Sequence, residues 1–378
     1  MEDLPPDKRP LGSQWVYKIK YNSDGSIERL KSRLVVFGNH QKEGIDYTET
    51  FAPVAKMVIV RAFLAMSTIP FFMVILRRKV SCKLMSLYMW MISVALRAFK
   101  AYLIDCFHMK DLGTLKYFLG IEVARSSSGL FLCQIKYTLE IITKAGLLGS
   151  KPAGFPMEQN HRLGLASGPL LDDPEPYLRL VGRLIYLAVT RPDLAYSVHI
   201  LSQFMHAPRT EHWEAALRVV RYLKGTPGQG IFLRSDSELT LQGWCDSDWA
   251  ACPLTRRSLT GWIIFLGKSP ISWKIKKQKT VSTSSSEAEY RCMCATTMEL
   301  MWLKRLLLSL GVQHPKAIKL FCDSQSALHI AKNSVFHERT KHIEVDCHFV
   351  RDAISKGFID PSYVSTREQG PHLYKSSR

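Results

Sequence analysis

Alternation of apolar and polar residues predicts strands near the amino terminus of the chain. Residues 15–21 and 30–37 both alternate, and the turn-forming sequence NSDG separates them at 22–25. Two alternating stretches joined by such a turn predict a β-hairpin. The middle of the chain follows another pattern, with apolar residues at helical spacing in three stretches: 177–189, 193–205 and 211–223.

The carboxy-terminal third changes to an order of strands, helix, strand, helix and strand. Alternation predicts strands at 239–246, 258–266, 270–276 and 318–323, with a last strand at 363–365. Two of these strands end in an aspartate, Asp246 and Asp323. Open α/β sheets place their ligands at the carboxyl ends of strands. This part of the chain therefore predicts an α/β fold with candidate chemistry at strand ends.

A long helix is predicted to begin near Ser286. Ser286 and Glu289 have the three-residue separation of a capping box, and an apolar stripe continues until Gly311. By itself, this spacing favours Glu289 as a helix cap. The two strand-ending aspartates favour a second interpretation, in which Glu289 joins them.

The three carboxylates form a candidate metal site. If the two strands are parallel neighbours, Asp246 and Asp323 lie side by side, and a helix crossing the sheet can bring Glu289 to the same edge. Carboxylates this close repel one another unless a divalent cation neutralises them. Two Mg²⁺ ions about 4 Å apart activate water and stabilise the leaving oxygen in phosphodiester hydrolysis. Asp248 and Glu287 are neighbouring candidates.

Net charge adds a candidate partner. Lys+Arg number 51 against 33 Asp+Glu among 378 residues, a formal charge of +18. Such an excess is typical of a nucleic-acid binder, with an anionic membrane surface as the alternative. Four lysines after Trp273 suit the backbone of an RNA/DNA hybrid better than they suit a merely solvated strand: Lys274, Lys276, Lys277 and Lys279. Lys31 and Arg33 share one strand face and could contact a phosphate or simply be solvated.

Cysteine usage and the amino terminus bear on location. The nine cysteines lack the paired spacing of a zinc site. We interpret them as reduced and mostly buried. The first ten residues are polar, unlike a signal peptide. We therefore expect an intracellular protein, cytoplasmic or nuclear and not secreted; the sequence gives no indication of a protein partner.

Motifs along most of the chain resemble the Pol polyprotein of Ty1/copia-type retrotransposons. They include LKSRLVVFG at 30–38, YFLGIEV at 117–123, GWCDSDWA at 243–250, SSSEAEY at 284–290 and CDSQSA at 322–327. The resemblance implies an incomplete reverse transcriptase followed by a ribonuclease H-like domain, whose fold is a mixed five-stranded sheet with flanking helices (α/β, α+β mixed). It implies that Asp246, Glu289 and Asp323 are three of four catalytic metal ligands, and that Lys31 and Arg33 face the incoming nucleotide.

The implied domains follow in order along the chain. They are a fingers remnant at 1–57, a disrupted palm segment at 58–98, a palm/thumb remnant at 99–160, a helical thumb or connection at 161–236, a ribonuclease H-like domain at 237–369 and an aberrant tail at 370–378.

The palm segment departs from the family pattern. Residues 57–76 form a hydrophobic run of about transmembrane length, interrupted by Arg61 and Pro70. The sequence YMWMI at 88–92 spells the family's metal motif YVDD when its codons are read two nucleotides out of frame, given a TAT tyrosine codon. The segment thus resembles a frameshifted or deleted palm, so we expect neither a membrane span nor polymerase activity.

The carboxyl terminus departs as well. The family places a fourth aspartate after the last strand, whereas this chain has STREQ at 365–369, and Glu368 is wrongly spaced to replace it. Our hypothesis is a Mg²⁺ (or Mn²⁺)-dependent endonuclease that cuts the RNA strand of RNA/DNA hybrids. The alternative is a catalytically inactive nucleic-acid-binding remnant.

Overall fold

The computed structural model describes residues 13–21, 26–36, 56–68, 115–158, 161–333 and 344–365. They fall in two compact units, Met1–Ala55 and Lys56–Arg378. In the first unit, strands β1 (Ser13–Tyr21) and β2 (Ile27–Val36) pair antiparallel. This ladder confirms the predicted hairpin. It places Lys31 opposite Lys18 and Arg33 opposite Val16.

The second unit begins with helix α1 (Met57–Thr68) and contains a four-stranded antiparallel sheet. The sheet comprises β3 (Tyr117–Phe118), β4 (Ile121–Ser126), β5 (Gly129–Cys133) and β6 (Gly230–Arg234), side by side in that order. A Cβ atom at Gly129 would lie 2.0 Å from the carbonyl oxygen of Leu233. Strand β6 can therefore pair this closely only beside a glycine.

In the described residues between β5 and β6 lie four helices, and the last three correspond to the three stretches of helical spacing. They are α2 (Ile135–Lys144), α3 (Glu175–Leu187), α4 (Ala195–Ser202) and α5 (Thr210–Gly225). Their apolar faces meet in one cluster that includes Leu184, Leu201 and Leu223. A short 3-10 turn at Pro192–Leu194 separates α3 from α4, where proline interrupts the helical hydrogen bonding.

The rest of the second unit is built on a five-stranded sheet. Its strands are β7 (Leu241–Asp248), β8 (Leu259–Leu266), β9 (Ser269–Lys277), β10 (Ile318–Cys322) and β11 (Ile359–Tyr363). Their spatial order is β11-β10-β7-β8-β9. Strands β7, β8 and β9 pair antiparallel, whereas β10 pairs parallel with β7 and β11.

Three helices accompany this sheet: α6 (Ser285–Ser309), α7 (Gln325–Lys332) and α8 (Glu344–Ser355). The mixed five-stranded sheet with flanking helices confirms the predicted ribonuclease H-like fold class. The last strand differs from its prediction, because it occupies Ile359–Tyr363 and not 363–365. Pro361 concealed it in the sequence; β11 is an edge strand, which tolerates proline.

One hydrophobic core joins the two sheets of the second unit. It includes Met66 of α1, Leu233 of β6, Ile271 of β9, Tyr290 of α6 and Leu320 of β10. The core therefore continues across the predicted domain boundary between residues 236 and 237. The helices α2 to α5 pack in a second cluster, which also includes Leu259 of β8.

Part of the hydrophobic run at 57–76 forms α1, and the contacts of Arg61 attach this helix to the rest of the second unit. Its side chain is 5% exposed, and its Nε and Nη1 atoms donate to the carbonyl oxygens of Ile271 and Val189, each at 2.8 Å. The guanidinium lies 3.8 Å from the ring centroid of Trp273. Helix α1 is 12 residues long, and no helix in the described residues is long and apolar enough to cross a membrane. Residues 69–76 lie outside the described part.

The cap of α6 differs from the predicted one. Ser284 is the N-cap, and its side chain accepts from the backbone N–H of Glu287 at 3.2 Å. Glu287 in turn accepts from the Thr283 N–H at 2.6 Å. The prediction of Ser286 and Glu289 as the capping pair is therefore wrong by two residues. The Ser-x-x-Glu spacing occurs twice here, and the contacts of Glu287 at the helix start identify the earlier pair.

Candidate active site

The ends of β7 and β10 bring two aspartates to one edge of the five-stranded sheet. Phe321 pairs with Trp244 in the parallel ladder. Continuing this register by two residues places Asp323 beside Asp246. On the other side of β7, Asp246 pairs with Gly261 of β8, which has no side chain to cover it. This register agrees with the predicted neighbourhood of the two carboxylates.

Helix α6 adds Glu289 to the same edge. The helix packs closely on β7, because a Cβ atom at Gly243 would lie only 3.2 Å from Leu300 Cδ1. Glu289 is 6% exposed, and its Oε1 accepts from the backbone N–H of Ser247 at 3.0 Å. One oxygen of Glu289, one of Asp323 and the Cys322 sulfur all lie within 4.8 Å of one another.

Electrostatics distinguishes Glu289 from an ordinary surface carboxylate. Burial is the largest cause that raises the pKa of Glu289 to about 11, and the neighbouring Cys292, Cys322, Asp246 and Asp323 contribute to the same shift. The side chain therefore holds a proton at neutral pH unless a cation replaces it. Oxygen-rich sites of this kind suit hard divalent cations.

The two neighbouring carboxylates have different surroundings. Glu287 is buried at 3% exposure and forms an ion pair with Arg291 at 2.7 Å. Its hydrogen bonds to Thr283 and Arg291 occupy both carboxylate oxygens. Burial raises the pKa of Asp248 at the end of β7. Glu287 thus has a structural role at the helix start, which leaves Glu289 as the glutamate of the site.

A layer of thiols beneath the carboxylates was missed by sequence reasoning. Cys245, Cys292 and Cys322 are all buried. The Cys322 sulfur donates to Glu289 Oε2 at 3.8 Å, and a hydrogen bond with Cys245 lowers the pKa of Cys322 although burial opposes the shift. The signal was present, because the tripeptide Cys-Asp-Ser occurs at both strand ends, 245–247 and 322–324.

The end of β11 lies where a fourth ligand would enter the site. Tyr363 pairs with Cys322, and the Val364 N–H donates to the Cys322 carbonyl oxygen at 3.1 Å. From Ile359 to Ser365 the one carboxylate is Asp360, which pairs with Lys319 at the opposite end of the two strands. Glu368 and the tail lie outside the described residues.

Strand β9 carries three of the six predicted basic contacts, and Lys279 lies just beyond it. Lys274, Lys276 and Lys279 are exposed, whereas Lys277 is half-buried and donates to the Cys252 sulfur at 3.1 Å. Strand β9 runs in the same direction as β7, because both pair antiparallel with β8. Its carboxyl end therefore lies at the same sheet edge as Asp246. Lys31 and Arg33 belong to the other compact unit.

Comparison with known proteins gives the chain its family. The sequence model for "Reverse transcriptase (RNA-dependent DNA polymerase)" matches residues 1–78 and 89–159. The retrovirus-related Pol polyprotein from transposon RE2 of Arabidopsis thaliana is 37% identical over 448 residues, covering 97% of this chain and 31% of that protein. The chain belongs to the Ty1/copia-type retrotransposon Pol polyproteins.

A second Pol polyprotein, from transposon TNT 1-94 of Nicotiana tabacum, is 32% identical and covers 97% of this chain and 34% of that protein. The chain thus spans about a third of the length of these curated Pol relatives. The gap in the reverse transcriptase match, 79–88, lies inside the segment 58–98 that we predict to be disrupted.

Among solved structures, RNase H1 from Halobacterium salinarum is similar over 34% of this Pol chain and 89% of its own length. The sequence identity is 13% and the TM-score is 0.25.

Proposed function

We propose that this Pol chain is a divalent-metal-dependent ribonuclease H, which cuts the RNA strand of RNA/DNA hybrids at Asp246, Glu289 and Asp323. The observation that carries the proposal is Glu289, a buried carboxyl group held by a backbone N–H and surrounded by groups of its own charge. Such an arrangement destabilises a protein unless a cation occupies it.

The donor set fits Mg²⁺ or Mn²⁺, because carboxylate oxygens converge at one edge of the sheet. Asp246, Glu289 and Asp323 would hold the ions. When bound, these ions activate a water molecule and stabilise the leaving oxygen of the phosphodiester. The Ser247 N–H fixes the Glu289 carboxylate, and Glu289 releases its proton to solvent before it can act as a ligand.

The substrate proposal rests on exposed charge at the same edge. Adjacent strands are about 4.8 Å apart, so β9 lies about 10 Å from β7 across the sheet. Lys274 and Lys276 on β9, together with Lys279 beyond it, can contact phosphates of a duplex whose scissile bond lies near Asp246. These contacts read the shape of the hybrid and not its base sequence. Lys277 faces Cys252 and contributes less. In the other unit, Lys31 and Arg33 remain proposed nucleic-acid contacts.

We propose further that reverse transcription is lost. The encoded chain lacks a YVDD sequence. The alignment with the RE2 protein is 448 positions long, more than the 378 residues of this chain, so that relative contains segments that this chain lacks. The missing motif supports loss of the palm, and the longer alignment supports loss of residues along the chain.

The direct test is cleavage of a hybrid duplex with a labelled RNA strand in the presence of Mg²⁺. We expect cleavage by the full chain and none above background for Asp246→Asn. Asp360→Asn is the matched control, because it removes an aspartate at the opposite end of the sheet. Equal cleavage by the Asp246→Asn and Asp360→Asn variants would contradict the proposal.

A second candidate function is an inactive nucleic-acid-binding remnant. It is favoured by the absence of a fourth carboxylate near the site in the described segment ending at Ser365. It predicts binding of hybrid duplex that weakens with salt, and no cleavage with either Mg²⁺ or Mn²⁺. Cleavage that disappears in Asp246→Asn would exclude it.

A further inference from the structure

The carboxylate site contains a sulfur atom that magnesium chemistry does not use. Cys322 Sγ lies 3.8 Å from Glu289 Oε2. The sulfur, one Glu289 oxygen and one Asp323 oxygen all lie within 4.8 Å of one another. Cys322 is completely buried. A sulfur with two carboxylate oxygens is a mixed donor set, which suits softer cations than Mg²⁺.

The spacing of these donors matches a tetrahedral ion. Zinc binds sulfur at about 2.3 Å and carboxylate oxygen at about 2.0–2.2 Å, so a tetrahedral angle separates the two ligand atoms by about 3.6 Å. The observed sulfur–oxygen distance is 3.8 Å. Adjacent oxygens around octahedral Mg²⁺ are only about 3 Å apart. The Cys322–Glu289 pair therefore needs little movement to bind a thiophilic ion.

The other two thiols of the layer donate to backbone carbonyl groups. Cys245 Sγ donates to the carbonyl oxygen of Phe321 at 3.4 Å. Cys292 Sγ donates to the carbonyl oxygens of Asp246 at 3.0 Å and Gly261 at 3.3 Å. These two thiols therefore contact the backbone beneath the site, whereas the Cys322 thiol contacts the Glu289 carboxyl group.

We propose that Cys322, Glu289 and Asp323 form a binding site for a thiophilic divalent cation, Zn²⁺ or Cd²⁺, which competes with Mg²⁺ for the two carboxylates. The competition rests on the proposed function, whereas binding of the thiophilic ion does not. On binding, the Cys322 thiol and the Glu289 carboxyl group release their protons to solvent, and the metal–sulfur and metal–oxygen bonds form in their place.

The test is a Cd²⁺ titration of the full chain, reduced with a phosphine and followed by the ultraviolet sulfur-to-cadmium charge-transfer band. We expect the band in the wild-type chain and its loss in Cys322→Ser. Cys292→Ser is the matched control, since it removes a buried thiol of the same layer and should retain the band. Cys252→Ser controls for the more exposed thiol beside Lys277.

A band that persists in Cys322→Ser, or that is lost equally in Cys292→Ser, would overturn the assignment. If Cys322→Ser does not fold, Glu289→Gln provides the second test, and the affinity for Cd²⁺ should fall at least about tenfold. Excess Mg²⁺ should weaken Cd²⁺ binding; no effect would refute the competition. A chain that never cuts hybrid but retains the Cys322-dependent band contradicts the nuclease proposal alone.

Discussion

Two buried polar clusters in the second unit differ in how their charges are compensated. In the helical segment, Arg191 is 1% exposed and meets Asp193 through two parallel hydrogen bonds, Nε to Oδ1 at 2.9 Å and Nη2 to Oδ2 at 2.7 Å. Arg191 also donates to Thr226, and the Tyr222 hydroxyl donates to Asp193 at 3.0 Å. Every charge in this Arg191 cluster faces its opposite.

The carboxylate site has the reverse composition. Glu289 is nearly as buried, but burial and its anionic neighbours raise its pKa to about 11. The Arg191 cluster is therefore complete within the chain, whereas the carboxylate site is stable only with a proton or a cation added. Complementary charge indicates a structural role, and accumulated like charge indicates a site for a ligand.

The largest effect expected from this comparison is at Asp193. Asp193→Ala leaves the Arg191 guanidinium buried without its counter-ion, so the free energy of unfolding should fall by about 3–5 kcal/mol. Denaturant unfolding of both chains measures the difference. Asp172→Ala, at an exposed position before α3, is the control and should change stability little. Similar losses of unfolding free energy in the two variants would show that the Arg191 cluster has no special structural role.

The opposite sign is expected at Glu289. Its pKa is raised from 4.5 in the unfolded chain to about 11 in the folded one, so the folded state binds more protons above pH 4.5. The free energy of unfolding should therefore fall as pH rises through this range. Glu289→Gln removes the ionisable group that causes this fall in the free energy of unfolding. The variant should therefore be more stable than the metal-free wild type at pH 7 by up to about 3 kcal/mol.

The measurement is thermal or denaturant unfolding of wild type and Glu289→Gln from pH 4 to 8 with a chelator present. The two chains should converge near the lowest pH and separate as pH rises. Adding Mg²⁺ should stabilise the wild type selectively, because only it retains the ligand. A variant less stable than wild type at pH 7 would show that Glu289 is a structural residue like Asp193.

The sequence could predict the elements whose signal is local. Alternation located the hairpin of β1 and β2, strand β7 with Asp246 near its end, and strand β10, which Asp323 follows. The expectation that both aspartates lie at the carboxyl ends of strands placed the two carboxylates together. It could not choose between Ser284 and Ser286 as the cap of α6, because both have a glutamate three residues later. The contacts of Glu287 with Thr283 and Arg291 decide this, and they depend on the folded helix start.

Features that depend on contacts between residues far apart in the chain could not be predicted from the sequence. Burial of Arg61 requires carbonyl groups from residues more than 100 positions away. The thiol layer depends on the register between β7 and β10, which places Cys322 beside Cys245. Strand β11 was misplaced because Pro361 disfavours a strand except at a sheet edge.

A smaller effect separates the two candidate N-cap residues of α6, Ser284 and Ser286. Ser284→Ala removes the N-cap side chain and should lower the free energy of unfolding by about 1 kcal/mol. Ser286→Ala removes a hydroxyl whose described contact is with Ser326 and should cost less. Denaturant midpoints of the two variants compare them directly. A larger loss for Ser286→Ala would restore Ser286 and Glu289 as the capping pair and withdraw Glu289 from the site.

The smallest expected effect concerns the basic edge near the carboxylate site. Lys276 is exposed at the carboxyl end of β9, whereas Arg191 is buried and paired with Asp193. If Lys276 contacts a phosphate, Lys276→Ala should reduce by about one the slope of log affinity against log salt for hybrid duplex binding. Lys319→Ala, at the other end of the sheet and paired with Asp360, should leave this slope unchanged. Equal slopes for the two variants would place the nucleic acid away from β9, and the carboxylate site would then lose its nearest described source of substrate contacts.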